Sequence, residues 1–197
     1  MNMLRSRTTQ ALALVAVILC TSCAVTDKAP KRADLNEDRT MLSEGYSLLY
    51  KEARQLDASD LILYVKSESD SMKKVVTEVS NVGDDVKKDL ERIAKSYPGV
   101  RIDLDPLPEM EKRKRTALSK DRAKYFAPVV GKGGREYERT VLLAFSNGLN
   151  HERHLCTVMA DAEPEASLKK FLLDTGKRYD ALYERVNDLL EKEYFVH

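Results

Sequence analysis

The residues best suited to chemistry lie in one segment, Arg135–Glu163, which reads REYERTVLLAFSNGLNHERHLCTVMADAE. It holds two of the three histidines and the only cysteine outside the first 23 residues. Glu138, Glu152 and Cys156 fall at helical spacing on one largely apolar stripe. Carboxylates, imidazoles and a thiol are the side chains from which metal and nucleophilic sites are built.

A metal site would use the two glutamates and the two histidines. Their spacing decides whether they match a known ligand motif. His151 and His154 stand three residues apart, with Glu152 between them and Glu138 earlier on the stripe of Glu152. Di-iron carboxylate bundles use two Glu-x-x-His motifs and two further glutamates. Here the third residue after each glutamate is apolar. The spacing favours no metal and no cofactor, with His154 solvated and His151 packed or hydrogen-bonded. A ferritin-like metal-binding or redox bundle using these four residues is the alternative hypothesis.

Nucleophilic catalysis has weaker support from the sequence. Cys156 sits in the middle of a helical pattern on an apolar stripe, where burial raises the pKa of a thiol and makes it inert. The chain contains no Gly-x-Ser-x-Gly, His-Glu-x-x-His or Cys-x-x-Cys motif. We therefore predict that the protein is not an enzyme.

A basic cluster offers a different kind of site, a contact with an anionic surface. Lys112, Arg113, Lys114 and Arg115 are consecutive within a short predicted helix, residues 109–126. Such a cluster can bind lipid headgroups or an anionic cell-wall polymer. Interspersed acids also allow ion pairs four residues apart, which favours the simpler interpretation of a solvated face packed partly on acidic helices. The formal net charge is only +1, so composition gives no argument for nucleic acid.

Helical periodicity defines the elements that must position these residues. Few glycines and prolines, no tryptophan and apolar residues at helical spacing predict an all-α protein. Gly83 lies inside the second helix and is expected to cost roughly 1 kcal/mol relative to alanine. A second apolar stripe, from Val141 to Ala162, predicts that the central helix is buried over a wide arc. The predicted elements are a helix from an N-cap at Asn36 to Leu56, a turn at 57–60, a helix at 61–97 with Glu68 at the edge of its stripe, an extended strap at 98–108, the basic helix at 109–126, a flexible glycine-rich connection at 128–134, the central helix at 135–163 and a last helix from a cap near Ser167 to about Glu193.

The first 23 residues have the order of a secretory signal. Arg5 and Arg7 precede an uncharged apolar run of about nine residues, which rises only about 14 Å as a helix and is too short for a bilayer core of roughly 30 Å. Small residues then lead directly to Cys23. Residues 24–35 are small, polar and proline-containing, and are predicted to form a flexible tether.

The segment that ends Thr21-Ser22-Cys23 resembles the lipobox of bacterial lipoproteins. The resemblance implies that Cys23 becomes the first residue of the mature protein and carries acyl chains such as palmitate, while Cys20 is removed with the signal peptide. It also implies a membrane partner through the lipid anchor. Ala24 favours the outer membrane, facing the periplasm, because an Asp at that position retains such lipoproteins in the inner membrane.

The layout of residues 36–197 predicts a four-helix up-down bundle in which a long crossover with the short basic helix joins two antiparallel hairpins. This layout, with the LPEMEKRKR segment from Leu107 and the REYERTVLLAF segment from Arg135, resembles secreted ferritin-like bundles of unassigned function. We expect a non-catalytic envelope lipoprotein that binds a protein partner or stabilises an assembly. Carriage of a lipid or another hydrophobic ligand between the hairpins is a further hypothesis.

Overall fold

The computed structural model of the chain describes residues 32–64, 69–125 and 134–195. Within these ranges every regular element is a helix and no strand occurs, so the prediction of an all-α protein is confirmed. The α-helices are α1 Arg32–Asp57, α2 Asp70–Ser96, α3 Glu109–Tyr125, α4 Gly134–Ala162 and α5 Ala166–Leu189. A 3₁₀ helix, Ala58–Tyr64, follows α1, and a π-helical turn, Leu190–Tyr194, follows α5.

The α1 and α2 helices pack along their predicted apolar stripes. Two boundaries differ from the prediction: α1 begins at Arg32, so Asn36 lies inside the helix and the last residues of the expected tether are helical. The second difference is that α2 begins at Asp70, where Ser69 accepts a hydrogen bond from the Met72 amide. The residues predicted to form the turn and the start of the second helix form the 3₁₀ helix instead. The apolar repeat already begins in the 3₁₀ helix, before α2 starts at Asp70. Spacing alone therefore predicts a start of α2 that is too early.

Gly83 has a specific packing role that the sequence did not reveal. A Cβ added there would lie 2.4 Å from the backbone nitrogen of Asp57 and 2.8 Å from the carbonyl oxygen of Ala53. The backbones of α1 and α2 therefore approach too closely for any side chain at this position. Gly83 is required for the contact between α1 and α2 rather than merely tolerated.

The strap between α2 and α3 is extended, as predicted, and lies along α1. Val100 is buried and the exposure alternates along the following residues. Two serines of α1 hold its backbone: Ser43 Oγ donates to the carbonyl of Gly99 over 2.9 Å, and Ser47 Oγ donates to the carbonyl of Arg101 over 3.1 Å. The Leu104 amide donates in turn to Ser47 Oγ. Side-chain groups of α1 therefore satisfy polar backbone that no helix or sheet would satisfy.

The α4 and α5 helices form the second closely packed pair. Arg153 of α4 pairs with Asp180 of α5, and Ser146 of α4 donates to Asn187 of α5, which makes the two helices antiparallel. The two pairs of helices also touch, α1 against α4 and α2 against α5. Among the described helices, none is both long enough and apolar enough to cross a membrane.

The predicted core stripe of α4 is confirmed at every position, and the second stripe is not. The buried residues of the first stripe are Glu138, Leu142, Phe145, Leu149, Glu152, Cys156 and Met159. The second stripe starts at buried Val141 but turns outward, and Val158 is 67% exposed. Helix α4 is therefore buried over a narrower arc than the sequence suggested.

Candidate functional site

Three glutamates line the buried side of α4 and its C-terminal end. Glu138 and Glu152 lie within the helix and Glu163 directly follows it. All three are almost fully buried. The sequence placed Glu138 and Glu152 on the core face correctly but gave Glu163 no role. Its position four residues after Met159 continues the same stripe, and that was the available signal.

Glu163 is held by partners from α1. Arg39 donates from both terminal nitrogens, to Oε2 over 3.4 Å and to Oε1 over 3.3 Å. The hydroxyl of Tyr46 donates to Oε2 over 2.8 Å, and the backbone amide of Glu165 donates to Oε1 over 3.1 Å. Burial, and then the hydrogen bond to Glu163, raises the pKa of Tyr46. This carboxylate ties the start of α1 to the end of α4.

Glu138 has a similar set of partners at the other end of α4. The backbone amide of Ser69 donates to Oε1 and its hydroxyl donates to Oε2, over 3.3 Å. The Tyr194 hydroxyl, from the π-helical turn, donates to Oε2. Burial, and then this hydrogen bond, raises the pKa of Tyr194 to about 12. Glu138 thus connects the starts of α2 and α4 to the end of the chain's last helix.

Glu152, midway along α4, lacks such partners. Within the described part of the chain, its Oε2 atom is buried without a hydrogen-bond partner, and so is the hydroxyl of Tyr179 on α5. Burial raises the pKa of Glu152 to about 8; the charge of Glu52 on α1 adds to this increase and that of Arg115 on α3 opposes it. At neutral pH Glu152 is therefore a buried, protonated carboxyl group.

Cys156 lies one turn after Glu152 and is fully buried. Burial, followed by the charge of Glu152, raises the pKa of its thiol to about 12. Since the thiolate is the nucleophilic form, this environment makes Cys156 a poor nucleophile. The burial expected for this cysteine from the sequence is confirmed.

The four candidate metal ligands are not brought together. Glu138 and Glu152 are separated by 14 residues of helix, about 21 Å along its axis, and both face the core. His151 and His154 are exposed on the opposite side of α4. The expectation that His151 is packed was wrong, because the second stripe turns toward solvent at this level. Among the described residues, no three His, Cys, Asp or Glu side chains are grouped closely enough to hold a metal ion.

The four consecutive basic residues of α3, 112–115, are each paired with a carboxylate. Lys112 pairs with Asp105 of the strap over 2.8 Å, and Arg115 pairs with Glu52 of α1, also over 2.8 Å. Arg113 and Lys114 pair within α3, with Glu109 and Glu111 respectively. The cluster therefore combines a solvated face with contacts to acidic groups of the strap and α1.

Cys23, the predicted lipidation site, lies outside the described residues, as do Glu68 and most of the glycine-rich connection. Comparison of the chain with protein-family models, with curated proteins and with solved structures found no match. The function must therefore be argued from the chemistry of the chain itself.

Proposed function

We propose that the chain is a lipid-anchored protein of the cell envelope whose helical domain is a non-catalytic binding or structural module. The proposal that the helical domain is non-catalytic rests on the hydrogen bonds that Glu138 and Glu163 accept. Each of these carboxylates receives hydrogen bonds from at least two other elements or segments, so each joins parts of the fold instead of facing a substrate. A raised thiol pKa at Cys156 supports the same interpretation.

We further propose that the helices form a four-helix up-down bundle of ferritin-like topology. Four contacts support this arrangement: α1 with α2, α4 with α5, α1 with α4 and α2 with α5. Arg39 at the start of α1 meets Glu163 at the end of α4, and Tyr97 at the end of α2 meets Ser167 at the start of α5. Antiparallel neighbours with one long crossover are typical of that topology.

The lipid anchor and the location rest on the sequence around Cys23. Acylation at this residue would fix the protein to a membrane, and Ala24 favours the outer membrane with the domain facing the periplasm. The partners would then be the membrane itself and another envelope protein. Nucleic acid is not among the proposed partners, because a secreted lipoprotein meets little of it.

Replacing the proposed lipidated cysteine tests the anchor. The Cys23→Ala chain should accumulate as an unlipidated precursor that incorporates no fatty-acid label, whereas a matched Cys20→Ala chain should still be labelled and processed. Labelling of the Cys23→Ala chain, or its full processing with retention in the membrane fraction, would show that the lipoprotein proposal is wrong.

Metal analysis tests the non-catalytic module independently of the anchor. The purified protein should contain no stoichiometric iron, zinc or manganese, and Glu152→Ala and His151→Ala should leave its metal content unchanged. A stoichiometric metal that disappears in both variants would instead establish the metal-binding alternative.

A further inference from the structure

The described side chains of helix α3 contact the rest of the domain through charged groups instead of through an apolar core. None of its described side chains belongs to the core, and Met110 and Leu118 are exposed. Its contacts outside itself include the ion pair of Arg115 with Glu52 on α1 and that of Lys112 with Asp105 on the strap. Such ion pairs between exposed or half-exposed groups are individually weak, so one competing charge can change how α3 is held.

Glu152 is placed to supply that competing charge. The charges of both members of the Arg115–Glu52 pair act on it, in opposite directions. Its charge also acts on two further described groups, Tyr179 on α5 and Cys156 on α4, and neither is a cation that could compensate a carboxylate. Arg178, next to Tyr179 in sequence, is already paired with Asp85 of α2 over 2.7 Å. Among these groups, Arg115 is the cation available to an ionised Glu152.

We propose that Glu152 is a buried proton-binding site that controls the docking of α3 on the bundle. With the carboxyl protonated, Arg115 remains paired with Glu52 on α1 and with Glu111 on α3 itself. When the proton passes to solvent, the new carboxylate attracts Arg115 and repels Glu52, so Arg115 changes partner and α3 shifts relative to α1. The burial of Oε2 without a hydrogen-bond partner is what leaves this carboxylate in need of a cation. Burial places the transition near pH 8 rather than in the acid range.

The absence of tryptophan from the chain allows a selective optical test. Leu118→Trp puts a single tryptophan on the exposed face of α3, and Leu173→Trp puts one on the exposed face of α5 as a matched control. In the full-length chain, purified in detergent, the emission of the α3 reporter should shift with a midpoint near pH 8 between pH 6 and 9.5. The α5 reporter should not shift, and Glu152→Gln should abolish the shift on α3.

Carboxyl-labelled glutamate allows the proton to be followed directly by NMR. The Glu152 signal, assigned by its loss in Glu152→Gln, should titrate near pH 8, and Arg115→Gln should move that titration to higher pH while abolishing the α3 shift. An ordinary titration near pH 4.5 would overturn the proposal. The proposal would also be overturned if the emission shift of the α3 reporter persisted in Glu152→Gln or if the α5 reporter shifted equally. A Glu152 titration near pH 8 with no emission shift on α3 would have the same consequence.

Discussion

Glu163 and Glu152 are the same residue type on the same buried side of the α4 segment, yet their surroundings have opposite consequences. At Glu163, α1 supplies a guanidinium from Arg39 and a hydroxyl from Tyr46. At Glu152, α1 supplies another acid, Glu52, and α5 supplies a tyrosine whose hydroxyl has no hydrogen-bond partner among the described residues. A buried carboxyl is thus a connection between helices in one place and a protonated, poorly satisfied group in the other.

Glycines near the two glutamates show how closely other elements approach them. Gly45, next to Tyr46, lies so close to Met159 that an added Cβ would be 2.9 Å from its sulfur. Gly176 of α5 packs in a similar way one turn after Glu152, where an added Cβ would be 3.3 Å from the Cβ of Cys156. At Gly148, which is half-buried and one turn before Glu152, an added Cβ would meet no described atom within 4 Å. The two glutamates therefore differ mainly in their polar partners, not in how closely neighbouring helices approach them.

The largest effect is expected from Glu152→Gln, which should increase the free energy of unfolding at neutral and alkaline pH. Below about pH 4.5 the carboxyl is protonated in both the folded and the unfolded chain, so the variant and the original differ little. Between pH 4.5 and 8 the unfolded chain releases the proton while the folded chain keeps it, so the original protein loses stability as pH rises. The gain from the substitution should reach about 3 kcal/mol at pH 7 and about 4 kcal/mol at pH 8.

Urea denaturation followed by far-ultraviolet circular dichroism, repeated from pH 4.5 to 8.5, measures this gain. The quantity of interest is the difference between the two proteins at each pH, because other groups titrate equally in both. If the difference in free energy of unfolding between the two proteins did not change with pH, Glu152 would be ionised in the folded protein. The contrast with Glu163 would then not lie in the charge of Glu152.

Glu163→Ala should have the next largest effect, in the opposite direction. It leaves the Arg39 guanidinium and the buried Tyr46 hydroxyl without their acceptor, so the free energy of unfolding should fall by about 3 kcal/mol. The estimate lies at the low end for a buried ion pair because the Arg39 side chain is 34% exposed. Glu165→Ala, which removes an exposed N-cap of α5, is the control and should cost about 1 kcal/mol. Equal losses in the two variants would show that Glu163 adds nothing beyond helix capping.

Two buried tyrosines, one near each glutamate, differ in whether their hydroxyl makes a hydrogen bond. Removing each hydroxyl tests that difference. Tyr46→Phe removes a donor to the Glu163 carboxylate and should lower the free energy of unfolding by about 2 kcal/mol. Tyr179→Phe removes a hydroxyl that no described residue bonds, so stability should be unchanged or should rise by up to about 1 kcal/mol. Thermal and urea unfolding at pH 6, where Glu152 is protonated, provide the measurement. A large loss in Tyr179→Phe would reveal a hydrogen bond that the structure does not contain.

The sequence predicted the face on which these glutamates lie but not their partners. Helical spacing alone identified the whole buried stripe from Glu138 to Met159, because burial on one helix is a local property of periodicity. The partners of Glu163 come from far along the chain: Arg39 is 124 residues away and Tyr46 is 117 residues away. Which glutamate receives a cation therefore depends on how α1 is aligned against α4, and one sequence does not encode that alignment in any readable pattern.

Local errors have similarly identifiable causes. The predicted start of α2 is too early because the apolar repeat already begins in a 3₁₀ helix and resumes after Glu68 in α2 itself. Gly83 was treated as a tolerated defect because its role depends on a backbone in another helix. The segment that resembles a lipobox, by contrast, is a contiguous pattern, so lipidation at Cys23 stays a prediction that depends on no tertiary contact.

The smallest expected effect comes from adding a methyl group at Gly148, one turn before Glu152. Gly148→Ala places a methyl group that meets no described atom within 4 Å and replaces a flexible helical residue, so the free energy of unfolding should rise by about 1 kcal/mol. Gly45→Ala is the matched change beside Glu163, where the gain in helix propensity is opposed by the displacement of Met159. The Gly45→Ala variant should therefore be the less stable of the two in urea denaturation at pH 6. If the order were reversed, Met159 would move aside at little cost, and its close approach would not be what restricts position 45 to glycine.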